Sequence, residues 1–475
     1  MRLLTPDQSS RLDRRTFENP RFSSEDFIEK AGRQVFEKIQ LLGWAQKSTL
    51  ILAGPGHNGD DARVVHRLLL KKNKNVRLWT LRDPLPDISS FELVVDGLFG
   101  VGLRRPLEGA ALQLVQALNS VRKARRLSTN PLCVIAVDVP SGLDALTGWP
   151  LGIAVQADHT VTMQAAKPGF FQNEGPRHCG RIHIAPLPYP TALFREIAST
   201  HFACGLRAAS KLLPRRSNLS NKGSFGVVNV VAGSAKYPGA GVLCARAALR
   251  TGAGYVRLIQ FEDVYPDWFQ IPETLFQKWE KVPSELEAGP AWVIGPGLSD
   301  TKKIRDLIEN LLACGCEKVI LDASALDIVA EMKRTLPESW LLTPHPKELA
   351  RMLGASVEDI QRNRFDSAVR AHEKWGATIL LKGYKTIVYH RGRHFISLRG
   401  HSALAKAGSG DVLAGMIGSY LAQRLETGSA AMTATLVHAI AADEWLKEGD
   451  TSSLGPSDLI EMIPSVQKKI KRSQY

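Results

Sequence analysis

The chain has no cysteines at paired metal or redox spacing. Its six cysteines stand at 133, 179, 204, 244, 314 and 316, and the one close pair, Cys314 and Cys316, lacks the doubled C-x-x-C of a zinc site. Reduced, buried thiols are expected instead. Long apolar runs are missing as well: no stretch approaches about 18 uncharged apolar residues, and the opening M-R-L-L-T-P-D-Q lacks the apolar segment of a secretory leader. Both absences argue against membrane spanning and export, so a cytoplasmic location is expected. Acidic residues are in deficit, with 47 Asp and Glu against 61 Lys and Arg and a formal charge of +14. An excess of that sign can serve nucleic acid. Here the basic residues are dispersed, with short clusters at Arg122-Lys123-Ala124-Arg125-Arg126, Arg215-Arg216 and Lys468-Lys469-Ile470-Lys471-Arg472. They carry no interleaved aromatics and no finger or helix-turn-helix signature. Neither nucleic acid nor membrane is expected as a partner, and the charge is left to solvation and to attracting small phosphorylated ligands.

What is present is an ordinary globular composition, 44% hydrophobic and 23% charged, on 475 residues, enough for two or three domains. Ile28, Ala31, Val35, Phe36 and Ile39 fall at helical spacing, and S-T-L-I-L-A-G after them reads as a buried strand. The alternation continues through A-R-V-V-H-R-L-L-L-K-K (helix), N-V-R-L-W-T and F-E-L-V-V-D-G (strands), A-L-Q-L-V-Q-A-L (helix) and L-C-V-I-A-V-D (strand). Such a series predicts a doubly wound, mainly parallel sheet whose ligands bind beyond the carboxyl ends of the strands. Between about 200 and 224 the text turns polar and basic and loses its period, and F-G-V-V-N-V-V-A-G then opens a second α/β series. The expected architecture is α/β with two doubly wound three-layer domains, 1–204 and 205–475.

In the second half, Gly408-Ser409-Gly410-Asp411 precedes an apolar helix, so free backbone N–H groups there attract phosphate. The lysine of a G-x-x-x-x-G-K-[ST] loop is absent. Asp411 reads either as a helix-starting acid favoured by the dipole or as a carboxylate placed to take a proton from a hydroxyl that attacks a bound phosphate. Other strand ends carry Gly295-Pro296-Gly297, Asp322-Ala323, Thr343-Pro344-His345-Pro346-Lys347-Glu348 and Lys382-Gly383-Tyr384-Lys385-Thr386. Singly, the G-P-G is a turn and His345 a satisfied loop histidine; in this order they are specific. The half resembles the ADP- or ATP-dependent NAD(P)H-hydrate dehydratases, of ribokinase-like fold, over essentially all of 216–475. It includes N-K-G-S-F-G-V-V-N-V-V-A-G-S-A-K-Y-P-G-A, with Asn221 standing where the family usually has histidine. The resemblance implies that Asp411 is the base on the hydroxyl and that the amides of Ser409 and Gly410 hold charge on the transferring phosphate. It also implies that Ala240, Gly297, His345 and Asp411 meet the hydrated dinucleotide. Lys382, Gly383, Tyr384, Lys385, Thr386 and Gly410 then meet ADP or ATP, with Mg²⁺ on the nucleotide phosphates.

In the first half, Gly54-Pro55-Gly56-His57-Asn58-Gly59-Asp60-Asp61-Ala62 joins a strand to a helix, followed by V-V-D-G-L-F-G-V-G-L-R-R-P-L-E-G (94–109) and V-D-V-P-S-G-L-D-A-L-T-G (137–148). This set resembles the NAD(P)H-hydrate epimerase domain, Rossmann-like, over roughly 1–200. The resemblance implies a K⁺ site at Asn58, Gly100 and Ser141. It places His57, Asn58, Gly59, Asp60, Asp61, Gly100, Val101, Gly102, Leu103, Arg104, Arg105, Pro106 and Asp138 on the substrate. Asp138 is then the proton-transfer candidate, with a structural hydrogen-bond acceptor as the alternative. The family's G-N-N-G-G-D-G is here G-H-N-G-D-D-A, and Asp60 is expected to repel a phosphorylated ligand and to impair epimerisation. The function expected is repair of hydrated NAD(P)H: epimerisation of the R and S hydrates, then nucleotide-dependent dehydration, by a homo-oligomer whose other partners are these small molecules. The alternatives are an ATP-dependent kinase of a small vitamin alcohol, and a first domain that only binds ligand or serves as a scaffold.

Overall fold

The computed structural model describes residues 1–262, 271–279, 286 and 289–472. It divides into two compact units, Met1–His201 and Phe202–Tyr475.

The first unit is built on strands β1 (Thr49–Ala53), β2 (Val76–Thr80), β3 (Leu93–Gly97), β4 (Cys133–Val137), β5 (His159–Met163) and β6 (Arg181–Ala185), in spatial order β2-β1-β3-β4-β5-β6. Every pairing is parallel. Strands β1, β3 and β4 are buried on both faces, which explains their near-continuous apolar text. Alternate residues feed two cores. Ile51, Val95 and Ile135 pack with the helices Ser24–Leu41 and His57–Leu70, while Leu50, Leu52, Val94 and Val134 pack against the helix Gly109–Arg125. The chain leaves β1 for β2 on one side and returns to β3 on the other, so the carboxyl ends of β1 and β3 open a crevice.

The second unit repeats the plan at larger scale. Its strands are β7 (His201–Cys204), β8 (Val227–Val231), β9 (Tyr255–Gln260), β10 (Leu275–Lys278), β11 (Ala291–Ile294), β12 (Val319–Leu321), β13 (Leu341–Leu342), β14 (Thr378–Leu381), β15 (Ile387–His390) and β16 (Arg393–Ser397). Among the described residues the sheet order is β10-β9-β8-β11-β12-β13-β14-β15-β16-β7. Pairing is parallel from β10 through β14 and antiparallel from β14 to β16. Here the reversal lies between β8 and β11. Val230, Leu258, Val293 and Ile320 face the core formed with the helices Pro238–Thr251, Ser409–Ala422 and Thr427–Trp445, while Val231, Ile259, Ile294 and Leu321 face the opposite layer. The boundary expected after residue 204 falls beyond an edge strand of this sheet, for Leu398 N donates to Cys204 O at 2.8 Å. All six cysteines are free, and all but Cys314 are buried. No helix among the described residues is long and apolar enough to cross a membrane.

The helix that carries Asp411, Ser409–Ala422, lies against Pro238–Thr251 so closely that a Cβ on Gly415 would fall on the Cys244 carbonyl oxygen. Gly415→Ala is therefore expected to destabilise the second unit by about 1–3 kcal/mol, the range for overpacking. A lowered urea-unfolding midpoint checks it, and a wild-type midpoint would mean that the helices separate without loss.

Candidate active sites

In the second unit the chemistry collects where parallel strands end. Gly233 N, just past β8, donates to Pro296 O just past β11 at 2.8 Å, closing the reversal point. Gly297 has φ 67°, and a Cβ there would lie 2.8 Å from Ala240 Cβ, so these two predicted residues are brought together. After β12 comes Asp322, almost wholly buried, which accepts from Lys382 Nζ at 2.7 Å and from Ala323 N at 2.9 Å. Lys382 follows β14, its ammonium also lies 3.8 Å from Glu348 Oε2, and its amide donates to Pro344 O at 2.9 Å. Burial pulls the Lys382 ammonium down, but Asp322 and Glu348 outweigh it and the group sits above its ordinary value. The ammonium lies 3.7 Å from the position a Gly410 Cβ would take, which places Lys382 at the Gly408–Asp411 turn.

Gly408, with φ 89°, caps the helix Ser409–Ala422 without a side-chain hydrogen bond; Ser409 N donates to Lys406 O at 3.2 Å, and the amides after it in the first turn point out of the helix end. Asp411 stands in this first turn. Burial first, and then the neighbouring Asp322, push its carboxyl up to about 7, with Lys382 opposing. A solvated helix-starting acid would shift the other way, because the dipole favours the charged form. Ser409 Oγ lies 3.2 Å from Nε2 of His438, which burial lowers to about 4 and so keeps neutral. His438 is a lone histidine in an apolar helix, and no motif in the sequence signals it. His345 caps the helix Pro346–Leu353: its Nδ1 accepts from Lys347 N and Glu348 N, both at 3.1 Å, and Glu348 Oε2 accepts from His345 N at 2.7 Å. That acceptor role puts the neutral ring's proton on Nε2. Of the remaining predicted residues, Tyr384 is half exposed, Thr386 Oγ1 donates to Gly383 O at 3.0 Å, and Lys385 Nζ donates to Leu398 O.

The first unit holds a cavity of about 460 Å³ at the ends of β1, β3 and β4. His57, Asn58, Asp61, Gly100, Val101, Gly102, Leu103 and Asp138 line it, and so do Asp13, Lys167 and Tyr189, to which the sequence assigns no role. Asp138 has φ 59°; its Oδ1 takes the ammonium of buried Lys167, Met163 N at 3.0 Å and Thr162 Oγ1 at 3.1 Å. Burial, then Asp138, holds Asp61 well above the carboxylate range, and burial also raises Asp13 against the hydrogen bond from Tyr189.

Gly59 does not face the cavity: a Cβ there would fall on the Gly54 carbonyl, so it is a close-packing glycine. Asp60 is outside the cavity lining too. It pairs with Arg63 at 2.8 Å, both side chains about two-fifths exposed, and Arg63 Nη2 donates to Gly54 O at 3.1 Å. The repulsion expected of Asp60 is thus met locally by a cation. Arg104 pairs with Asp7 at 2.7 Å, whereas Arg105 and Pro106 line a neighbouring cavity of about 320 Å³ that shares Pro55, Phe99 and Leu103 with the first.

The side-chain oxygen and nitrogen of Asn58 are buried with no partner, an arrangement that is unfavourable unless something binds there. A Cβ on Gly100 would sit 3.3 Å from Asn58 Oδ1. Ser141 Oγ donates to Asp96 Oδ1 at 2.6 Å and accepts from Phe99 N at 2.9 Å, and Ser141 N donates to Asp96 Oδ2 at 2.8 Å. Burial raises Asp96 to about 6 despite these bonds. Asn58 and Ser141 thus meet the turn after β3 from two sides, at Gly100 and Phe99 respectively, with Asp96 as the carboxylate that the motifs leave unassigned.

Two doubly wound units, one with a cavity at its reversal point and one with a Gly-Ser-Gly-Asp helix start beside a buried Lys–Asp pair, define a two-module α/β enzyme. Comparison with known proteins gives the particular family. The model of the NAD(P)H-hydrate dehydratase family matches residues 228–465, and that of the YjeF-related protein N-terminus matches 24–88 and 82–169. The bifunctional NAD(P)H-hydrate repair enzyme of Moorella thermoacetica is 31% identical over 529 residues, covering 99% of this chain and 97% of its own. That of Thermofilum pendens is 30% identical over 510 residues, covering 97% and 95%. The chain belongs to the bifunctional NAD(P)H-hydrate repair enzyme family. Among solved structures, the ADP/ATP-dependent NAD(P)H-hydrate dehydratase of Bacillus subtilis, co-crystallised with ATP and Mg²⁺, aligns with a TM-score of 0.53 and 32% identity over 57% of this chain and 99% of that one. A ribokinase-like superfamily protein of Enterococcus faecalis aligns with a TM-score of 0.52 and 26% identity over 57% and 96%. The second unit has the ribokinase-like fold.

Lys167 is 2% exposed and Asp138 13% at the side chain. Lys167→Met would strand that carboxylate, and a loss of about 3–5 kcal/mol is expected, as for removal of one partner of a buried pair. Calorimetric unfolding of the full chain checks it; an unchanged transition would mean that water replaces the ammonium.

Proposed function

We propose that the chain returns hydrated NADH and NADPH to service, the first unit interconverting the R and S hydrates and the second dehydrating the S hydrate with ADP or ATP. The observation that carries the second step is Asp411, poised near pH 7 at the Gly-Ser-Gly turn and beside Lys382. The hydroxyl at C6 of the hydrate is a poor leaving group. Asp411 takes its proton as the oxygen attacks the terminal phosphorus of the nucleotide, and the amides of Ser409 and Gly410 receive the charge on the phosphoryl oxygens. The C6 phosphate then leaves as inorganic phosphate, a proton is lost from the ring, and the dihydronicotinamide is restored with AMP or ADP as the other product. Lys382, held by Asp322 and Glu348, and the turn 383–386 orient the nucleotide, while Ala240, Gly297 and the Nε2 face of His345 orient the hydrate. Mg²⁺ bound with the nucleotide would shield the charge of its phosphates. Among the described residues no cluster of three or more His, Cys, Asp or Glu offers it a protein cage.

In the first unit Asp138, with Lys167 as its counter-ion, is the group that moves the proton. Asn58, Gly100 and Ser141 would hold K⁺, with Asp96 beside Ser141 as a further oxygen donor, and the ion's charge would fix the 100–103 turn beside the substrate. The Asp60–Arg63 pair supports an active epimerase in place of the impaired one that the altered motif suggests. Family membership removes the ground for the small-alcohol kinase reading.

The S hydrate with either nucleotide should regain the absorbance of the reduced nicotinamide, with kcat/KM rising as pH increases through about 7, where Asp411 loses its proton. Asp411→Asn is expected to lower kcat by about 10²–10⁴ with nucleotide affinity retained; wild-type turnover would return Asp411 to a helix-starting role. Separated R hydrate with excess nucleotide and K⁺ should be recovered rapidly and completely. Recovery held to the spontaneous epimerisation rate would mean an inactive first unit.

A further inference from the structure

Arg364 opens the helix Arg364–Trp375 and is 5% exposed. Among the described residues its guanidinium pairs with no carboxylate: Nη1 donates to Gln361 Oε1 at 3.0 Å, Nη2 to Leu381 O at 3.3 Å, and buried Nε has no partner. Leu381 is the last residue of β14, directly before Lys382 and Gly383. Gly383 has φ 141°, and a Cβ there would lie 2.6 Å from Nη1 of Arg364, so the guanidinium rests against the bare backbone of the turn. Burial lowers the group to about 10, which leaves it charged at neutral pH.

A buried cation without a counter-ion is unfavourable, and apolar residues of similar size commonly do as well or better at such positions. The charge balance of the neighbouring site supplies a reason for it. Asp322, Glu348 and Asp411 all act on the Lys382 ammonium, three carboxylates to one cation, a set that by itself would repel a nucleotide diphosphate or triphosphate. We propose that Arg364 is a positioning residue for the adenine nucleotide, bracing the 381–383 turn from behind and supplying the positive charge that the nucleotide phosphates meet across it. This rests on the reading of that turn as the nucleotide site. Arg364 acts through the turn and need not touch the ligand.

The test uses Arg364→Met, Arg364→Lys and Gly383→Ala in the full chain, with ADP, ATP and the S hydrate. For Arg364→Met the nucleotide KM should rise about tenfold or more. At saturating nucleotide, kcat and the hydrate KM should stay within about threefold, and the ligand-free thermal midpoint should hold or rise, with the midpoint increase produced by ADP diminished. Arg364→Lys, which keeps the charge but loses the fork, should recover part of the affinity. Gly383→Ala, which pushes the guanidinium away, should raise the nucleotide KM as well. The inference is overturned by a lower ligand-free midpoint with an unchanged nucleotide KM, or by an equal loss in both substrates. If Arg364→Met does not fold, an unchanged nucleotide KM in both other variants overturns it. Absence of nucleotide-dependent recovery in the wild type would instead sink the dehydratase reading itself.

Discussion

The buried ion pair between Lys382 and Asp322 is the contact on which the second site depends. It joins the ends of β14 and β12 at 2.7 Å across the intervening β13, and it sets the charge around Asp411. Asp322 pushes the Asp411 carboxyl up and Lys382 pulls it down, with burial as the larger influence. Remove the lysine, and two buried carboxylates face each other without a cation. Remove Asp322, and the ammonium is free to pair with Asp411, which would hold that carboxyl ionised and too weak a base for a hydroxyl proton. The pair therefore positions and tunes at once.

The same solution stands in the first unit, where buried Lys167 holds Asp138 at the end of β4. In both units the pair lies beyond the carboxyl ends of parallel strands, on the side where the chain order reverses, and in both the approach is close enough to demand glycine. Gly54 abuts the Leu98 carbonyl in one, and Gly295 the Asp322 carbonyl in the other. At such positions backbone packs directly on backbone, with no room for a side chain.

Much of this was legible in the sequence because parallel strands buried on both faces are written as apolar runs, and the residues at their ends follow them directly. The order of strand-end motifs named Asp322, His345, Lys382 and Asp411, which follow or cap elements at one end of the second sheet. What stayed hidden is contact made by topology. Lys167 reaches Asp138 only because β4 pairs with β5, and Arg364 reaches Gly383 only because its helix packs beside β14. Helical phase hid the role of Asp60. Adjacent residues on a helix point about 100° apart, so Asp61 enters the cavity while Asp60 turns to Arg63 one turn on. The strand His201–Cys204 is too short to show a period, and its place at the sheet edge is fixed by β16, almost 200 positions later.

The central claim is that the C6 oxygen of the hydrate is phosphorylated before it leaves. An S hydrate carrying oxygen-18 in that hydroxyl, turned over with ADP, tests it most directly. The account predicts the label in the inorganic phosphate, because the C–O bond breaks after the P–O bond has formed. Label found wholly in water would contradict phosphoryl transfer to that hydroxyl, and with it the role of Asp411 as its base.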